Sequence, residues 1–249
     1  DLGNTVVLVF AYNRPSHIAQ TLKALLNNEG CEKLPIKIYI DGPRNEVDVA
    51  KTQQVAKICG DFQSEHQLEI IQESTNRGLF KSITSGVSDA LESFSQTIIL
   101  EDDIYTSRYF LDYMVQSLAT YANTPNVCSI HGYLPQLAKD VPETFFLRGA
   151  YCWGWATWRD RWGLFRHDAA SMANEIRKRD LVKEFNLNGN YDYLGMLEAR
   201  AAGLNNSWAI CWHASCFLAN KLTLYPGKSL VKNIGLDGSG ENCNPSEVM

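Results

Sequence analysis

Short apolar runs and longer amphipathic segments alternate through the first half of the chain, and this alternation constrains the fold most strongly. Residues 5–11 (TVVLVFA) form an unbroken, β-branched run that is typical of a parallel strand buried on both faces. Comparable runs at 36–40, 68–71 and 97–100 are separated by stretches with helical periodicity. Four such strand–helix units predict an α/β fold with a mostly parallel, doubly wound central sheet flanked by helices.

The second half of the sequence has a different texture. An aromatic segment, residues 145–165, contains Phe145, Phe146, Trp153, Trp155, Trp158 and Trp162. Helices are predicted at 170–185, 191–202 and 208–220, and the Gly- and Asn-rich residues 230–249 read as a loop. No repeat or low-complexity linker divides the chain, so residues 1–249 are predicted to form a single domain.

Composition narrows the classes of partner. The formal net charge of −5 and the lack of a long basic run argue against nucleic acid. No apolar run approaches the roughly 20 residues of a membrane span, and no signal-peptide pattern is visible. The seven cysteines are scattered without a C-x-x-C pair, which favours reduced thiols in a cytoplasmic protein. One or two disulfides are the alternative for a secreted chain.

Polar residues follow each predicted strand, and the ends of parallel strands are where open α/β sheets bind ligands. These strand ends meet at one edge of the sheet, so the side chains after different strands are expected to share one site. The candidates are Tyr12, Asn13, Arg14, Asp41, Asn76, Arg77, Gly78, Glu101, Asp102 and Asp103.

The triplet Glu101–Asp102–Asp103 carries the most chemical information in this set. Three adjacent carboxylates repel one another, and a hard divalent cation relieves that repulsion. Mg²⁺ and Mn²⁺ prefer oxygen ligands and are commonly held by one or two carboxylates together with substrate phosphates. The alternative interpretation is an acidic helix start that interacts with the helix dipole. The position directly after a buried strand favours metal or ligand binding.

Five short segments, in order, resemble the GT-A fold glycosyltransferases. They are AYNRP (11–15), IDG (40–42), NRGL (76–79), EDDI (101–104) and WGWATW (153–158). The similarity is to bacterial family-2-like sugar transferases and to the N-acetylglucosaminyltransferase I group, and it extends over roughly residues 5–240. It implies a single GT-A (Rossmann-like) catalytic domain, with a nucleotide-binding half at 1–125 and an acceptor-side half at 126–249.

The resemblance assigns roles to the strand-end residues. Tyr12, Asn13 and Arg14 match the segment that lines the nucleobase pocket, and Asp41 matches a carboxylate that contacts uracil or ribose. Asp103 matches the direct ligand of Mn²⁺ or Mg²⁺.

Three further side chains belong to the same donor site. Glu101 and Asp102 complete the acidic motif, and Asp102 is expected to face the ribose or the donor sugar. Arg77 is expected to contact the base or the phosphates, with a surface ion pair as the alternative.

Trp153, Gly154 and Trp155 resemble the segment that shapes the pocket for the donor sugar and the acceptor. Sugars stack their apolar faces on aromatic rings, so tryptophans suit such a pocket. The alternative is a plain aromatic core.

An inverting transferase needs a base for the acceptor hydroxyl. Asp192 stands in the matching place at the start of a helix, with a helix-capping role as the alternative and Glu198 as the second candidate. Residues 233–243 resemble a lid loop with Gly235, Gly238 and Gly240, in which related sequences often carry His where Asn242 stands.

The resemblance implies an inverting hexosyl- or N-acetylhexosaminyltransferase that uses a UDP-sugar. Its acceptor would be a glycan or lipid-linked glycan in surface polysaccharide synthesis. The expected location is the cytoplasm, with peripheral association at the inner face of the membrane as the alternative. A non-catalytic nucleotide-sugar or glycan-binding module is the main alternative.

Two other enzyme classes fit less well. A nucleotidyltransferase of the same fold would carry a Gly-rich, basic loop after the first strand. An NAD-dependent oxidoreductase would carry G-x-G-x-x-G there, and AYNRP has neither pattern.

Overall fold

A computed structural model describes residues 4–64, 66–137 and 139–238, and its first half contains the predicted strand–helix units. Each strand leads into a helix that returns the chain to the start of the next strand, as in other parallel α/β sheets. The elements are β1 (Thr5–Ala11), α1 (Pro15–Leu26), β2 (Ile36–Ile40), α2 (Glu46–Gln63), β3 (Leu68–Gln72), α3 (Leu79–Ser93) and β4 (Gln96–Glu101).

The rest of the chain adds shorter elements. The predicted helix over 170–185 is two helices, because Asp180 adopts a left-handed backbone conformation (φ 56°) between them. The elements are β5 (Ile104–Thr106), α4 (Phe110–Thr120), β6 (Val127–His131), β7 (Thr144–Arg148), β8 (Trp155–Trp158), α5 (Arg159–Trp162), α6 (Ala169–Lys178), α7 (Val182–Phe185), α8 (Tyr193–Ala201), α9 (Ala209–Leu218), β9 (Leu222–Pro226) and β10 (Val231–Asn233).

The main sheet has the strand order β3-β2-β1-β4-β8-β6-β9-β7. Strands β3, β2, β1 and β4 are parallel to one another, β6 is parallel to β9, and the other pairs are antiparallel. Strand β8 lies between β4 and β6 and is antiparallel to both, so it joins the two halves of the chain. The predicted α/β class with a mostly parallel central sheet is confirmed.

Both faces of β1 are buried, which explains its unbroken apolar sequence. Val7 and Val9 belong to the core under α1, α2 and α4, whereas Val6 and Leu8 belong to the core shared with α3 and four tryptophans. Successive side chains of a strand point to opposite faces, so one continuous apolar run supplies both layers. The site therefore lies beyond the end of a strand that is fixed on both sides.

Two further observations apply to the described residues only. None of their helices combines the length and the apolarity that crossing a membrane requires. Their six cysteines carry free thiols, and five of them are buried.

Candidate functional site

A cavity of about 490 Å³ lies beyond the carboxyl ends of β1, β2 and β4. Its wall on the side of the first half, here called the strand-end wall, includes Tyr12, Asn13, Arg14, Asp41, Glu101, Asp102 and Asp103. The opposite wall, here called the aromatic wall, includes His131, Tyr133, Tyr151, Trp153, Tyr191, Tyr193, Trp208 and His213. Gly235 also borders this cavity, so the structure brings together nine of the residues singled out from the sequence.

Arg14 joins the two aspartates of the acidic triplet. Its Nη1 donates to Asp103 Oδ2 at 2.9 Å, and its Nη2 contacts Asp102 Oδ1. All three side chains are largely buried, with exposed fractions of 17% for Arg14, 5% for Asp102 and 12% for Asp103. Burial alone would lower the pKa of Arg14, but Asp102 and then Asp103 raise it above its ordinary value.

The carboxylates themselves bear the electrostatic cost of this arrangement. Burial, and then the charges of Asp103 and Asp102, raise the pKa of Glu101 to about 8. Burial also raises the pKa of Asp102, against the opposing effect of Arg14. Arg14 carries one positive charge against the two carboxylates of Asp102 and Asp103, so the strand-end wall favours a further cation.

Asp41 has a scaffolding role that the sequence did not predict. Its Oδ1 accepts from the backbone N–H groups of Gly42 (2.9 Å) and Arg77 (2.7 Å). Its Oδ2 accepts from Asn76 Nδ2 (3.0 Å) and from the backbone N–H of Gly78 (2.9 Å), the residue before α3. The buried carboxylate thus holds the loop after β3 against β2 while it lines the cavity.

Asp48 organises the end of β1, and sequence reasoning missed it. The Tyr12 hydroxyl donates to Asp48 Oδ2 at 2.6 Å, and Asn13 Nδ2 donates to Oδ1 at 2.9 Å. These two bonds hold the pKa of Asp48 below its usual range. Burial and Asp48 raise the pKa of Tyr12 to about 12, so this side chain is a phenol hydrogen-bonded to a carboxylate. The only sign of this role in the sequence is the position of Asp48 in the first turn of α2.

The three residues of the Trp-Gly-Trp segment have different environments. Trp153 lines the cavity and packs edge-on against Tyr133, with 4.6 Å between ring centroids. Trp155 has no exposed surface and stacks on Trp208 in the core. Gly154 has a φ of 63°, and a Cβ there would lie 2.9 Å from the Val231 side chain. Of the three residues predicted to shape the sugar pocket, Trp153 is therefore the one whose side chain can contact a ligand in the cavity.

Two buried histidines lie in the aromatic wall. His131 and His213 are 2% and 3% exposed, and burial lowers the pKa of His131 to about 3 and that of His213 to about 4. His213 Nδ1 lies 3.0 Å from the Ala150 carbonyl oxygen, and the Tyr193 hydroxyl donates to the Tyr151 hydroxyl at 2.8 Å. These rings are neutral at ordinary pH, so the aromatic wall offers hydrogen-bonding groups without charge.

Three predicted site residues are engaged elsewhere. Asp192 accepts from the Gly195 backbone N–H at 2.9 Å and caps α8. Glu198 pairs with Arg177 at 2.7 Å, and Arg77 pairs with Glu73 at 2.7 Å. In the described part of the chain these three side chains do not line the cavity, although the neighbours of Asp192, Tyr191 and Tyr193, do. Their catalytic and nucleotide-binding roles stay predictions.

The segment after β10 closes over the acidic pair. The Ile234 backbone N–H donates to the Asp103 carbonyl oxygen at 2.9 Å, and His17 Nε2 lies 3.3 Å from Asp237 Oδ2. Gly235 is so close that a Cβ there would collide with Asp103 Oδ2. Of the predicted lid, Gly235 and Gly238 are described, whereas Gly240 and Asn242 lie outside the described residues.

A second cavity of about 1000 Å³ adjoins the first and shares Tyr133 and Asn233 with it. It lies beside α4 and between the segments 133–144 and 226–233. Three acidic and three basic residues line it, together with Tyr109 and Tyr113. Two neighbouring cavities of this size can accommodate two ligands side by side.

The donor set of the strand-end wall suits a divalent metal that is shared with a ligand. Within the described residues, no three histidine, cysteine or acidic side chains are grouped so that they could hold a metal ion by themselves. Mg²⁺ and Mn²⁺ need only one or two carboxylates where phosphates and water complete the shell. Asp103 offers such an oxygen, and glycine at position 235 keeps a side chain from covering it.

Comparisons with known proteins connect this geometry to a fold. No protein-family model matches the sequence, and no curated protein matches it. The structure is similar to GalNAc-T7 with UDP, GalNAc and Mn²⁺, at 10% identity and a TM-score of 0.58, covering 94% of this chain and 44% of that one. It is also similar to residues 1–349 of S. aureus TarS in complex with UDP-GlcNAc, at 12% identity and a TM-score of 0.52, covering 92% and 57%.

These structural similarities establish the fold and show how much of the similar proteins the chain covers. The chain has the GT-A fold of these glycosyltransferases, and the predicted fold resemblance is confirmed. It spans only about half the length of the chains it matches. The acidic triplet and the cavity lie where that fold places ligands, at the ends of its parallel strands.

Proposed function

We propose that this chain is a metal-dependent glycosyltransferase that moves a sugar from a UDP-sugar to a hydroxyl of a glycan acceptor. The observation that carries the proposal is the buried acidic pair Asp102–Asp103 at the end of β4, facing the aromatic wall across a 490 Å³ cavity. A charged wall suits a nucleoside diphosphate with its cation, and an aromatic wall suits a sugar. The solved structures of similar fold hold UDP-GlcNAc, or UDP with GalNAc and Mn²⁺, which supports a UDP-linked donor.

The strand-end wall would bind the nucleotide. Tyr12 and Asn13, fixed by Asp48, present a ring and an amide at the end of β1 for the base. Asp41 borders the same space for the uracil or ribose, and Asp102 for the ribose or sugar. Asp103 would hold Mn²⁺ or Mg²⁺, which when bound offsets the negative charge on the departing UDP.

The acceptor would lie on the side of the aromatic wall and the second cavity. Trp153 and Tyr133 offer ring faces and edges to sugars at the junction of the two cavities. The matched numbers of acidic and basic side chains along the second cavity suit an uncharged glycan. In an inverting reaction, the acceptor oxygen attacks the anomeric carbon as the bond to UDP breaks, and its proton passes to a carboxylate. Asp192 is our candidate for that base.

The wider setting is also part of the proposal. Residues 1–249 would act as one catalytic domain, with a donor half at 1–125 and an acceptor half at 126–249. The bridging position of β8 between β4 and β6 supports this. The sequence resemblance favours a hexosyl or N-acetylhexosaminyl donor and a role in surface polysaccharide synthesis. It also favours a glycan or lipid-linked glycan acceptor at the cytoplasmic face of the membrane.

Calorimetric titration with UDP, with and without Mn²⁺, tests the donor site. We expect UDP binding that depends on Mn²⁺ in the wild type and is lost in Asp103→Ala. Asp61→Ala is the matched control, since Asp61 is an exposed acid that pairs with Lys57 on α2. A folded wild-type protein that binds no UDP in either condition would count against a UDP-sugar site.

A non-catalytic binding module is the alternative within the same fold. Release of UDP from a panel of UDP-sugars, with water as the default acceptor, separates it from an enzyme. We expect slow, Mn²⁺-dependent hydrolysis of at least one donor, which Asp103→Ala abolishes. Tight donor binding with no hydrolysis, and no transfer to any added glycan, would favour the module.

A further inference from the structure

The guanidinium of Arg14 occupies the place between Asp102 and Asp103. Besides the contacts through Nη1 and Nη2, its Nε lies 3.4 Å from Asp102 Oδ2, so three nitrogens of one side chain face two carboxylates. The backbone of Arg14 is held at the start of α1 by the following Pro15. Release of the two acids would therefore require a movement of the Arg14 side chain. A planar, permanently charged fork is well suited to bridging two adjacent acids.

This bridge uses the oxygen that a metal needs. Asp103 Oδ2 accepts from Arg14 Nη1, and a side chain at Gly235 would collide with the same oxygen. A Cβ at Gly235 would also lie 2.8 Å from Arg14 Nη1, so the arginine, the aspartate and the glycine form one tight contact. A divalent cation entering beside Asp103 would meet a positive charge already in place.

We propose that Arg14 is a built-in counter-ion that holds the acid pair closed and lowers its affinity for a divalent cation until a diphosphate arrives. The inference rests on the proposed function, in which Asp103 holds the metal and the ligand brings phosphates. When those phosphates enter, they offer Arg14 a new bidentate partner. Asp103 is then released to the metal.

The consequence is a coupling between the two ligands. Metal alone has to displace Arg14 from Asp103, and diphosphate alone has to draw Arg14 from both acids. When both ligands are present, the diphosphate binds Arg14 and the metal binds Asp103, so each ligand raises the affinity for the other. Part of this increase in affinity comes from Arg14. By linkage the coupling is reciprocal, so it can be measured from the metal side alone.

Titration of the protein with Mn²⁺, followed by the loss of the free-ion signal in electron paramagnetic resonance, tests this without turnover. An opposite charge at this distance changes carboxylate affinity for a proton by about tenfold or more, and we expect a similar effect for a metal. Arg14→Gln should therefore bind Mn²⁺ without nucleotide about tenfold more tightly than the wild type. Arg14→Lys, whose ammonium cannot bridge both acids as a fork, should show a smaller gain.

Arg108→Gln is the matched control. It also breaks an arginine–carboxylate pair, with Glu29 at 2.9 Å, but on an exposed surface. We expect its Mn²⁺ affinity to equal that of the wild type. Adding UDP should tighten Mn²⁺ binding less in Arg14→Gln than in the wild type, because the exchange step has been removed.

The outcomes separate this inference from the proposed function. If the wild type binds Mn²⁺ in the presence of UDP but Arg14→Gln binds the ion no more tightly than the wild type without UDP, the counter-ion role is wrong and the function stands. If the wild type does not bind Mn²⁺ even with UDP, the proposed metal site fails. Should Arg14→Gln not fold, Arg14→Lys decides, and a wild-type affinity for Mn²⁺ in that variant overturns the inference.

Discussion

The two walls of the cavity are built in different ways. The strand-end wall consists of polar side chains at the ends of buried strands, and hydrogen bonds accepted by Asp41 and Asp48 hold this end of the sheet in place. The aromatic wall consists of rings brought together from distant points, for example Tyr151 and Tyr193, whose hydroxyls share a hydrogen bond across 42 positions. The first wall is fixed by the sheet, and the second by packing between helices and strands.

This difference predicts where function and stability separate. In the strand-end wall one side chain serves both, because the acids that face the cavity also hold the loops in place. In the aromatic wall the roles divide between neighbouring residues, as Trp153 and Trp155 illustrate. The experiments below test that comparison, from the largest expected change in stability to the smallest.

Trp155→Ala should cause the largest loss. Trp155 is fully buried and stacks on Trp208, 5.4 Å away, so its removal leaves a large cavity and should cost about 3–5 kcal/mol of unfolding free energy. Trp153→Ala, at a partly exposed ring, should cost roughly 1–2 kcal/mol and weaken binding of a sugar ligand. Denaturant unfolding followed by circular dichroism measures both. Equal losses in the two variants would break the proposed division of roles.

Asp41→Asn tests the double role of the strand-end wall. The new amide would turn an NH₂ group toward the donors of Asn76 and Gly78, so two of four hydrogen bonds are lost, at a cost of about 2–3 kcal/mol. UDP affinity should fall in the same variant, because the loop before α3 loses its anchor. Asp61→Asn is a control at an exposed acid. A stable Asp41→Asn protein would show that the carboxylate serves the ligand alone.

The buried histidines predict loss of stability in mild acid. In the folded protein the pKa of His131 is about 3 and that of His213 about 4, whereas the unfolded chain has the ordinary value of 6.5. The unfolded state thus binds more protons below pH 6.5, so stability is full above that pH and falls as the pH drops toward 4 and then 3. Each histidine should account for about 1 kcal/mol of loss by pH 5.5.

His131→Phe and His213→Phe measure that contribution. Between neutral pH and pH 5.5, the unfolding free energy of each variant should fall by about 1 kcal/mol less than that of the wild type. In the double variant the difference from the wild type should be about 2 kcal/mol. An unchanged acid dependence in both variants would show that neither ring is held neutral by the fold. That result would place the charge-free character of the aromatic wall in doubt.

Substitutions of Asp192 should change stability least and should separate an effect on stability from an effect on the transfer rate most clearly. Asp192→Asn keeps the cap of α8, since asparagine caps helices as well as aspartate, and should alter stability by only a few tenths of a kcal/mol. Asp192→Ala should cost about 1 kcal/mol. If Asp192 is the base, both variants lose at least about a hundredfold in transfer rate. Full activity in Asp192→Asn would show that Asp192 is not the base and serves only as the cap of α8.

The same contrast explains what the sequence could reveal. Strand β1 has the predicted bounds, and β2, β3 and β4 differ from prediction by one residue at most at either end, because buried parallel strands have continuous apolar runs. The polar residues after β1, β2 and β4 line one cavity as predicted, whereas Asn76, Arg77 and Gly78 after β3 do not. Strands β7, β8 and β9 were missed, since WATW and its neighbours suit a strand or an aromatic core equally and pair with segments far away in the sequence.

The residues that sequence reasoning missed share one property. Asp48, His131 and His213 owe their importance to partners that are distant in the chain: Asp48 bonds Tyr12 across 36 positions, and His213 contacts Ala150 across 63. No local pattern encodes such a pairing. Asp192 illustrates the reverse case, because a helix start and a catalytic acid have the same local signature.

The position of β8 affects how the chain can be assembled. Strands β1 to β4 are complete once residue 101 has been synthesised, yet the outer edge of β4 pairs with residues 155–158, which are made much later. Until then Ile98 and Ile99 lie on an unpaired edge strand, which is a template for pairing with another chain. A nascent or truncated chain that ends before Trp155 should therefore self-associate. We therefore expect the four residues WATW to limit aggregation of the growing chain, in addition to completing the sheet.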